Sequence, residues 1–329
     1  MIVDVHSHFF PPAFLEEIGR RGGKYDVQLQ RGTEGQPVLV QQGRRHPALR
    51  PFSDIQERLA YMDGAGIDVH ALSLSAQLNL FWPEGADALA LCEILNDEYA
   101  RLAQAHPGRF VGVAAVPLQD VPLALKELDR AVTKRGLRAV GILSNVRGTY
   151  LDDPRFYPFY ERVQDLGVPI QVHPANPVGK EQMQEFELMN SVGFPLDSTL
   201  SIARLILSGT LERFPRLRFI YYHGGGAIPY VKGRMDHNWG QRQEARKAIA
   251  LRPPSAYLEQ FYFDTILHDH RALAYLIEAV GADQVVLGSD CAYDMADLDP
   301  VGSLKAVPGL AEEARRKILG ENAARLYRL

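Results

Sequence analysis

The sequence predicts an α/β fold, and within that class a (β/α)8 barrel. Eight short runs of apolar and β-branched residues recur along the 329 residues, and longer stretches with helical spacing separate them, as at Ile55, Leu59 and Met62. Glycines such as Gly108 and Gly136 precede several runs, which is typical of the turn that leads from a helix into a strand. Strands that alternate with helices pair in parallel, and eight such units close most simply into a barrel. A doubly wound open sheet is the alternative that this pattern leaves open.

The apolar runs place the predicted strands along the chain. Each is short, bounded by turn residues and enriched in valine, isoleucine, leucine or aromatic residues, as expected of strands buried on both faces. The eight runs cover residues 2–5, 68–74, 110–115, 139–143, 169–172, 218–222, 262–264 and 284–287.

One insertion interrupts the regular alternation, from about residue 22 to residue 52. Its segments 25–30 and 37–41 alternate apolar and polar residues, so we expect a small β-hairpin over the barrel mouth. Ser53 or Asp54 is suited to cap the helix that follows. We therefore expect one domain over residues 1–329 that carries this insertion.

Composition narrows the class of protein. The net charge of −4 gives no reason to expect nucleic acid or an anionic membrane as a partner. The two cysteines, Cys92 and Cys291, exclude a disulfide framework and suit a reducing compartment. The first residues lack the basic and apolar regions of a signal peptide, and no apolar run is long enough to span a membrane. We expect a soluble, cytoplasmic protein.

The end of the first predicted strand carries two histidines. Asp4, His6 and His8 alternate with Val5 and Ser7, and side chains two residues apart share one face of a regular strand. At the carboxyl end of a barrel strand that face is expected to point inward, where barrel enzymes place their chemistry. Two imidazoles at this spacing can bind one divalent ion.

Other predicted strands end in the same residue types. His173 ends the fifth run, His223 ends the sixth, and Asp290 lies just beyond the eighth. Any one of these residues could simply end a strand and cap the next helix. Together, however, they bring metal-binding side chains to the same rim of the barrel, and the sequence therefore predicts a metal site there.

The sequence gives less reason to place the remaining histidines at this metal site. His106 precedes a turn at the opposite end of the barrel, and His70 lies inside the second run, where a buried hydrogen-bonded role is expected. His237, His268 and His270 remain candidates for the pocket wall, since the last two follow the seventh run.

Several motifs in this order resemble the amidohydrolase superfamily. The similarity is to the branch of aminocarboxymuconate-semialdehyde decarboxylase and related metal-dependent, non-oxidative decarboxylases, and it extends from residue 1 to the region of Asn322. The motifs are Asp-x-His-x-His-Phe-Phe-Pro at 4–11, Val-His-Pro at 172–174, His-Gly-Gly-Gly at 223–226, Gly-Arg-Met-Asp at 233–236 and Gly-Ser-Asp at 288–290.

The resemblance implies a role for each site residue. It makes His6, His8, His173 and Asp290 the ligands of one divalent ion, zinc in most members, with manganese as the alternative. His223 is then the acid/base beside the metal-bound water. Arg234 is implied to bind a substrate carboxylate from across a subunit boundary, and a homodimer is expected for that reason.

The sequence departs from that decarboxylase at two positions near the expected substrate. His46 stands where a second carboxylate-binding arginine is expected, although Arg44 and Arg45 lie beside it, and Cys291 begins a segment that replaces an aromatic-proline run. The resemblance therefore implies decarboxylation of a small aromatic or dienoic carboxylic acid, with His46 as a further substrate-binding candidate. A hydrolase or hydratase acting on a lactone, amide or enoic acid is the alternative enzyme, and a non-catalytic binding barrel is the alternative outside enzymes.

Overall fold

A computed structural model describes residues 1–33, 35–41, 44–47, 50–74, 80–242 and 250–329; for Arg44, His46, Pro47, Arg50 and Pro51 it describes the backbone alone. The strands are β1 (Val3–His8), β2 (Val27–Arg31), β3 (Pro37–Gln41), β4 (Arg44–Pro47), β5 (Val69–Ser73), β6 (Phe110–Ala115), β7 (Ala139–Leu143), β8 (Asn145–Val146), β9 (Thr149–Tyr150), β10 (Ile170–His173), β11 (Phe219–Tyr221), β12 (Phe261–Asp264) and β13 (Val285–Val286). The α-helices are α1 (Pro12–Arg21), α2 (Arg50–Ser53), α3 (Ile55–Ala65), α4 (Gly85–Ala105), α5 (Val121–Asp129), α6 (Tyr157–Leu166), α7 (Phe194–Leu207), α8 (Thr210–Arg213), α9 (Ile228–Gln241), α10 (His270–Val280), α11 (Pro300–Lys305), α12 (Glu312–Arg316) and α13 (Asn322–Tyr327).

Eight parallel strands form the central sheet in the order β1-β5-β6-β7-β10-β11-β12-β13. The two ends of this order also meet, because Val5 N donates to Leu287 O at 2.9 Å and Asp290 N donates to His6 O at 2.8 Å. The sheet thus closes on itself, and helices lie between successive strands. The predicted (β/α)8 barrel is confirmed, and each of the eight apolar runs overlaps a barrel strand.

The strand β1 departs from regular alternation. Its register against β5 shifts between Asp4 and Ser7, so Asp4 pairs with His70 whereas His8 pairs with Ser73. Because paired residues of parallel strands point to the same side, Asp4 and His8 lie on opposite sides of the sheet. The expectation that Asp4 shares a face with His6 and His8 is therefore wrong, and the bulge is the physical reason.

The insertion forms a three-stranded antiparallel sheet in which β2 pairs with β3 and β3 pairs with β4. The predicted hairpin corresponds to β2 and β3, and β4 extends it. Val27 and Leu39 belong to the same buried apolar cluster as Phe14 and Ile18 of α1. The expected position over the barrel mouth stays a prediction.

The helix α3 begins as the sequence predicts. The Asp54 side chain accepts hydrogen bonds from Gln56 N and Glu57 N, which satisfies two amide groups that a helix leaves without an intrahelical partner. Among the helices in the described ranges, none combines the length and apolar character needed to cross a membrane.

Candidate metal centre

Four buried side chains meet at the carboxyl rim of the barrel. Each offers one ligand atom, and these atoms all lie within 4.8 Å of one another. His6 Nε2, His8 Nε2 and Asp290 Oδ1 are each 3.1 Å from the other two. The structure thus brings together the predicted ligands His6, His8, His173 and Asp290, which are separated by up to 284 positions along the chain.

Neighbouring groups orient His6. Its Nδ1 lies 2.6 Å from Asp264 Oδ2, and both side chains are fully buried. Its ring stacks on that of Tyr222 with 3.6 Å between ring centroids and 8° between planes. An imidazole that donates Nδ1–H to a carboxylate presents an unprotonated Nε2, which is the form that binds a metal.

The other two imidazoles are held in a similar way. His8 Nδ1 lies 3.2 Å from Ser73 Oγ. His173 Nδ1 lies 2.8 Å from the carbonyl oxygen of Pro174, which can only accept, so this nitrogen carries the proton. Its Nε2 is then free to act as a ligand atom. The short strand β10 thus ends in a histidine that already has the metal-binding tautomer.

Burial and mutual charge set the protonation of this cluster. Burial opposes a charge on His6, but the Asp290 and Asp264 carboxylates outweigh it and raise the pKa of His6 to about 10. Burial lowers the pKa of His8 to about 4, and it also lowers the pKa of His173. Burial would raise the pKa of Asp290, yet the charge of His6 and hydrogen bonds from the surrounding histidines hold it well below its usual range.

The donor set fits a divalent ion. Bonds of ~2.1 Å at tetrahedral angles place ligand atoms roughly 3.4 Å apart, close to the three observed separations of 3.1 Å. Three neutral imidazoles and one carboxylate leave such an ion with one net positive charge. Nitrogen and oxygen donors of this kind suit zinc and manganese alike.

His223 lies beside the four ligands without joining them. Its Nε2 is 3.7 Å from Asp290 Oδ2, and its ring centroid is 5.2 Å from that of His173. Its side chain is 17% exposed, in contrast to the fully buried His6. It is therefore placed to exchange protons with a molecule at the site and with solvent at the mouth.

A glycine turn holds His223 in this position. His223 has φ of +54°, and the following Gly224 donates its backbone N–H to Asp264 Oδ1 at 2.9 Å. At Gly226, also at positive φ, an added Cβ would lie 2.0 Å from the Pro195 carbonyl oxygen. The turn therefore needs a residue without a side chain at that point.

Two cavities flank the cluster. The inner one is bounded mainly by apolar residues of β5, β6, β7 and β10 and reaches His173. Its described lining is Ser73, Leu74, Leu80, Phe81, Val113, Ala114, Ala115, Val116, Gly141, Ile142, Leu143, Gln171, His173 and Tyr222. The outer one opens at the mouth beside His223 and Asp290.

The remaining predicted residues do not belong to the four-residue cluster. Arg234 is exposed on α9, and it forms no salt bridge with any residue in the described ranges, including the nearby Asp236. His268 lines the outer cavity, whereas His237 and His270 line neither of the two cavities and are exposed. The side chain of His46 lies outside the described part of the chain, so its role stays a prediction.

Sequence reasoning missed Asp264. It ends the seventh apolar run, in the same position relative to its strand as His173 in the fifth, and this position was the available signal. The expected buried, hydrogen-bonded role of His70 agrees with the structure, because its side chain is fully buried and its Nδ1 lies 3.2 Å from Arg58 Nη1.

Comparison with known proteins agrees with the motifs. A family model described as Amidohydrolase matches residues 3–329. The chain is 30% identical to a 2-amino-3-carboxymuconate-6-semialdehyde decarboxylase of Dictyostelium discoideum over 98% of this chain and 90% of that protein. It is 31% identical to a gamma-resorcylate decarboxylase of a Rhizobium species over 84% of this chain and 88% of that protein.

A solved structure extends the likeness to the fold. It is a dihydroxybenzoic acid decarboxylase from a Polaromonas species with bound manganese and an inhibitor, 2-nitroresorcinol, and it superposes with a TM-score of 0.81 at 25% identity. The match covers 100% of this chain and 97% of that one. With its barrel, its strand-end ligands and a family match over nearly its whole length, this chain belongs to the amidohydrolase family.

Proposed function

We propose that this protein is a metal-dependent, non-oxidative decarboxylase of a small aromatic or dienoic carboxylic acid. The observation that carries the proposal is the division of the site into four buried ligands and a separate, partly exposed His223. The four ligands would hold a metal beside a proton carrier, and several relatives that resemble the chain over most of its length are decarboxylases.

A bound divalent ion would supply Lewis acidity that holds and polarises the oxygen atoms of the substrate. The described residues would hold this ion and carry the proton. His6, His8, His173 and Asp290 present their ligand atoms, and His223 can deliver a proton to the carbon that loses its carboxylate. As the bond from this carbon to the carboxylate breaks, its electron pair stays on the carbon and takes that proton, and carbon dioxide leaves.

The inner cavity indicates where the rest of the substrate lies. Its walls are mostly apolar, and none of its described lining residues is a lysine or an arginine. Transfer of an aromatic ring or a diene from water into such an apolar cavity is favourable. The cavity reaches His173, so a molecule that fills it would place its carboxyl end at the ligands.

Arg234 completes the proposal as the group that binds a substrate carboxylate from a partner subunit, through its planar pair of donors. Its exposure and its lack of a salt-bridge partner among the described residues leave it available for this role. His46 is proposed to contact substrate as well. Zinc is the proposed metal, with manganese as the alternative, in a cytoplasmic homodimer.

The first experiment asks which reaction the protein catalyses. The metal content of the purified protein would be measured, and carbon dioxide release would be screened over hydroxybenzoates, aminobenzoates and muconate semialdehydes. Turnover in D2O should place one deuterium on the carbon that lost its carboxylate. Lactone or amide cleavage, or hydration of an enoic acid, without carbon dioxide release would instead assign the alternative hydrolase or hydratase.

The second experiment separates His223 from the ligands. The variant His223→Asn should keep its metal and lose about 10²–10⁴-fold in turnover, because the proton carrier is gone. Asp290→Asn should lose the metal itself, and His270→Asn, changed at an exposed histidine that lines neither cavity, should keep both metal and turnover as the control. Undiminished turnover in His223→Asn would refute the assigned role.

A further inference from the structure

A row of buried polar side chains lies behind the metal site, between the barrel and helix α3. All four of its members are fully buried, although two of them are normally charged. Arg58 comes from α3, His70 from β5, Asp4 from β1, and Ser289 from the segment that follows β13. We call these four residues the buried row.

One end of the row contacts the first ligand segment. Arg58 donates through Nη2 to the carbonyl oxygen of His8, and through Nη1 it contacts His70 Nδ1 at 3.2 Å. Arginine has only donors, so His70 Nδ1 must accept, and the proton of the neutral ring is on Nε2. This Nε2 lies 3.2 Å from Asp4 Oδ2, a close contact that falls short of hydrogen-bond alignment.

The other end of the row contacts both ligand segments at once. Asp4 Oδ1 accepts from His6 N at 2.9 Å and from Ser289 N at 3.1 Å, and Asp4 Oδ2 accepts from the Ser289 hydroxyl. Ser289 directly precedes Asp290, and its hydroxyl also accepts from Cys291 N at 3.1 Å. The row thus ends on the backbone of His6 and His8 and on the residues at both sides of Asp290.

Barrel stability alone does not account for this arrangement. Burying an arginine and an aspartate is costly, and apolar residues of similar volume usually stabilise a core at least as well. The buried charges do, however, make directional contacts with the backbone at positions where four ligand atoms must come within a few tenths of an ångström of a required spacing.

We propose that Arg58, His70 and Asp4 are positioning residues that hold the His6–His8 segment and the Asp290 segment at the spacing that metal binding requires. This inference rests on the metal site and is independent of the reaction that the site catalyses. It predicts an effect on the metal itself, before any substrate is present.

The test measures metal affinity and coordination in Arg58→Met, which keeps much of the side-chain volume and removes the donors. Zinc affinity, measured by competition with a chromophoric chelator, should fall about 10- to 100-fold. The visible absorption bands of the cobalt-substituted protein should also shift, because they report ligand geometry. Arg58→Lys should restore part of the affinity, since its single ammonium nitrogen can donate to the His8 carbonyl but lacks the two separate nitrogens with which Arg58 contacts His8 and His70.

Two further variants keep the test decisive. Leu128 lies on α5 and packs into the hydrophobic core away from the site. Leu128→Ala should therefore lower the unfolding temperature and leave the zinc affinity and the cobalt spectrum unchanged. If Arg58→Met does not fold, Ser289→Ala removes one hydroxyl, with its hydrogen bonds to Asp4 and from Cys291 N, and should weaken zinc binding severalfold. A folded Arg58→Met, or failing that Ser289→Ala, with wild-type zinc affinity and cobalt spectrum would overturn the proposal.

Discussion

Replacing Asp264 by asparagine should weaken metal binding and leave the fold intact. Asp264 Oδ2 lies 2.6 Å from His6 Nδ1, and its Oδ1 accepts from Gly224 N at 2.9 Å and Ile266 N at 3.2 Å. An asparagine can keep its oxygen on the two backbone donors, but its NH2 group then faces His6 Nδ1. That nitrogen must become an acceptor, which moves the proton of His6 to Nε2, the atom that binds the metal.

The size of the effect follows from this change of tautomer. Loss of a carboxylate partner behind a metal-binding histidine typically costs 10- to 100-fold in affinity, or roughly 1.4–2.7 kcal/mol. The asparagine cannot avoid this change by turning its amide around. In that orientation its NH2 group would face the two backbone N–H donors, and these buried donors would have no acceptor. Asp264→Ala is less informative, because it leaves three buried donors unpaired at about 1–3 kcal/mol each and so threatens folding.

The assay compares zinc affinity at one pH with thermal unfolding of the metal-free protein. Asp264→Asn should bind zinc about 10- to 100-fold more weakly and show a far-ultraviolet circular dichroism spectrum like that of the wild type. The matched control is Asp269→Asn, an exposed cap of α10 on the same loop, where asparagine caps a helix as well as aspartate does. Zinc affinity within twofold of the wild type in Asp264→Asn would show that the reasoning is mistaken.

Two further predictions concern pH and substrate binding. The pKa of His6 is raised to about 10 in the metal-free protein whereas that of His8 is lowered to about 4, so metal binding between pH 6 and 8 should release one proton. Zinc affinity should therefore rise about tenfold per pH unit in this range. Calorimetry in buffers of different ionisation enthalpy should detect the release of one proton per zinc bound. A zinc affinity that does not change with pH would contradict this prediction. Arg234→Gln should raise KM about 10- to 100-fold with metal content unchanged, since hydrogen bonds to charged groups contribute about 1.5–3 kcal/mol, whereas Arg216→Gln, changed at an exposed salt bridge with Asp165, should not. At a substrate concentration well below the raised KM, mixing Arg234→Gln and His223→Asn subunits should restore some activity if Arg234 acts across the subunit boundary. Unchanged KM in Arg234→Gln would remove it from the site.

Much of the fold could be predicted because its signals are local. A strand buried on both faces needs a short apolar run, and a helix against a barrel needs apolar residues at helical spacing, so the eight runs identified the eight strands to within a few residues. The ligands could be predicted for a related reason. Parallel strands bring their carboxyl ends to one rim, so metal-binding residue types at several strand ends predicted a metal site there. The resemblance to the decarboxylases then implied His6, His8, His173 and Asp290 as its ligands, and the structure brings these four together.

The sequence did not reveal features that depend on contacts between distant segments. Asp264 and His6 are 258 residues apart. The strand-end position of Asp264 was a signal that it belongs to the site, but nothing near it in the chain identifies the imidazole that its carboxylate meets. The bulge in β1 depends on pairing with β5 and on contacts with the segment after β13, so strict alternation placed Asp4 on the wrong side of the sheet.

The sequence by itself therefore determined the barrel and the rim that carries the chemistry, because both follow from local periodicity and strand order, and the resemblance of its motifs to the decarboxylases supplied the four candidate ligands. Only the tertiary structure decided which groups stand behind the ligands. The tautomer of His6 depends on Asp264, and the spacing of the ligand segments depends on Arg58 and Asp4. These roles are set by hydrogen-bond directions between residues far apart in the chain, which periodicity does not encode.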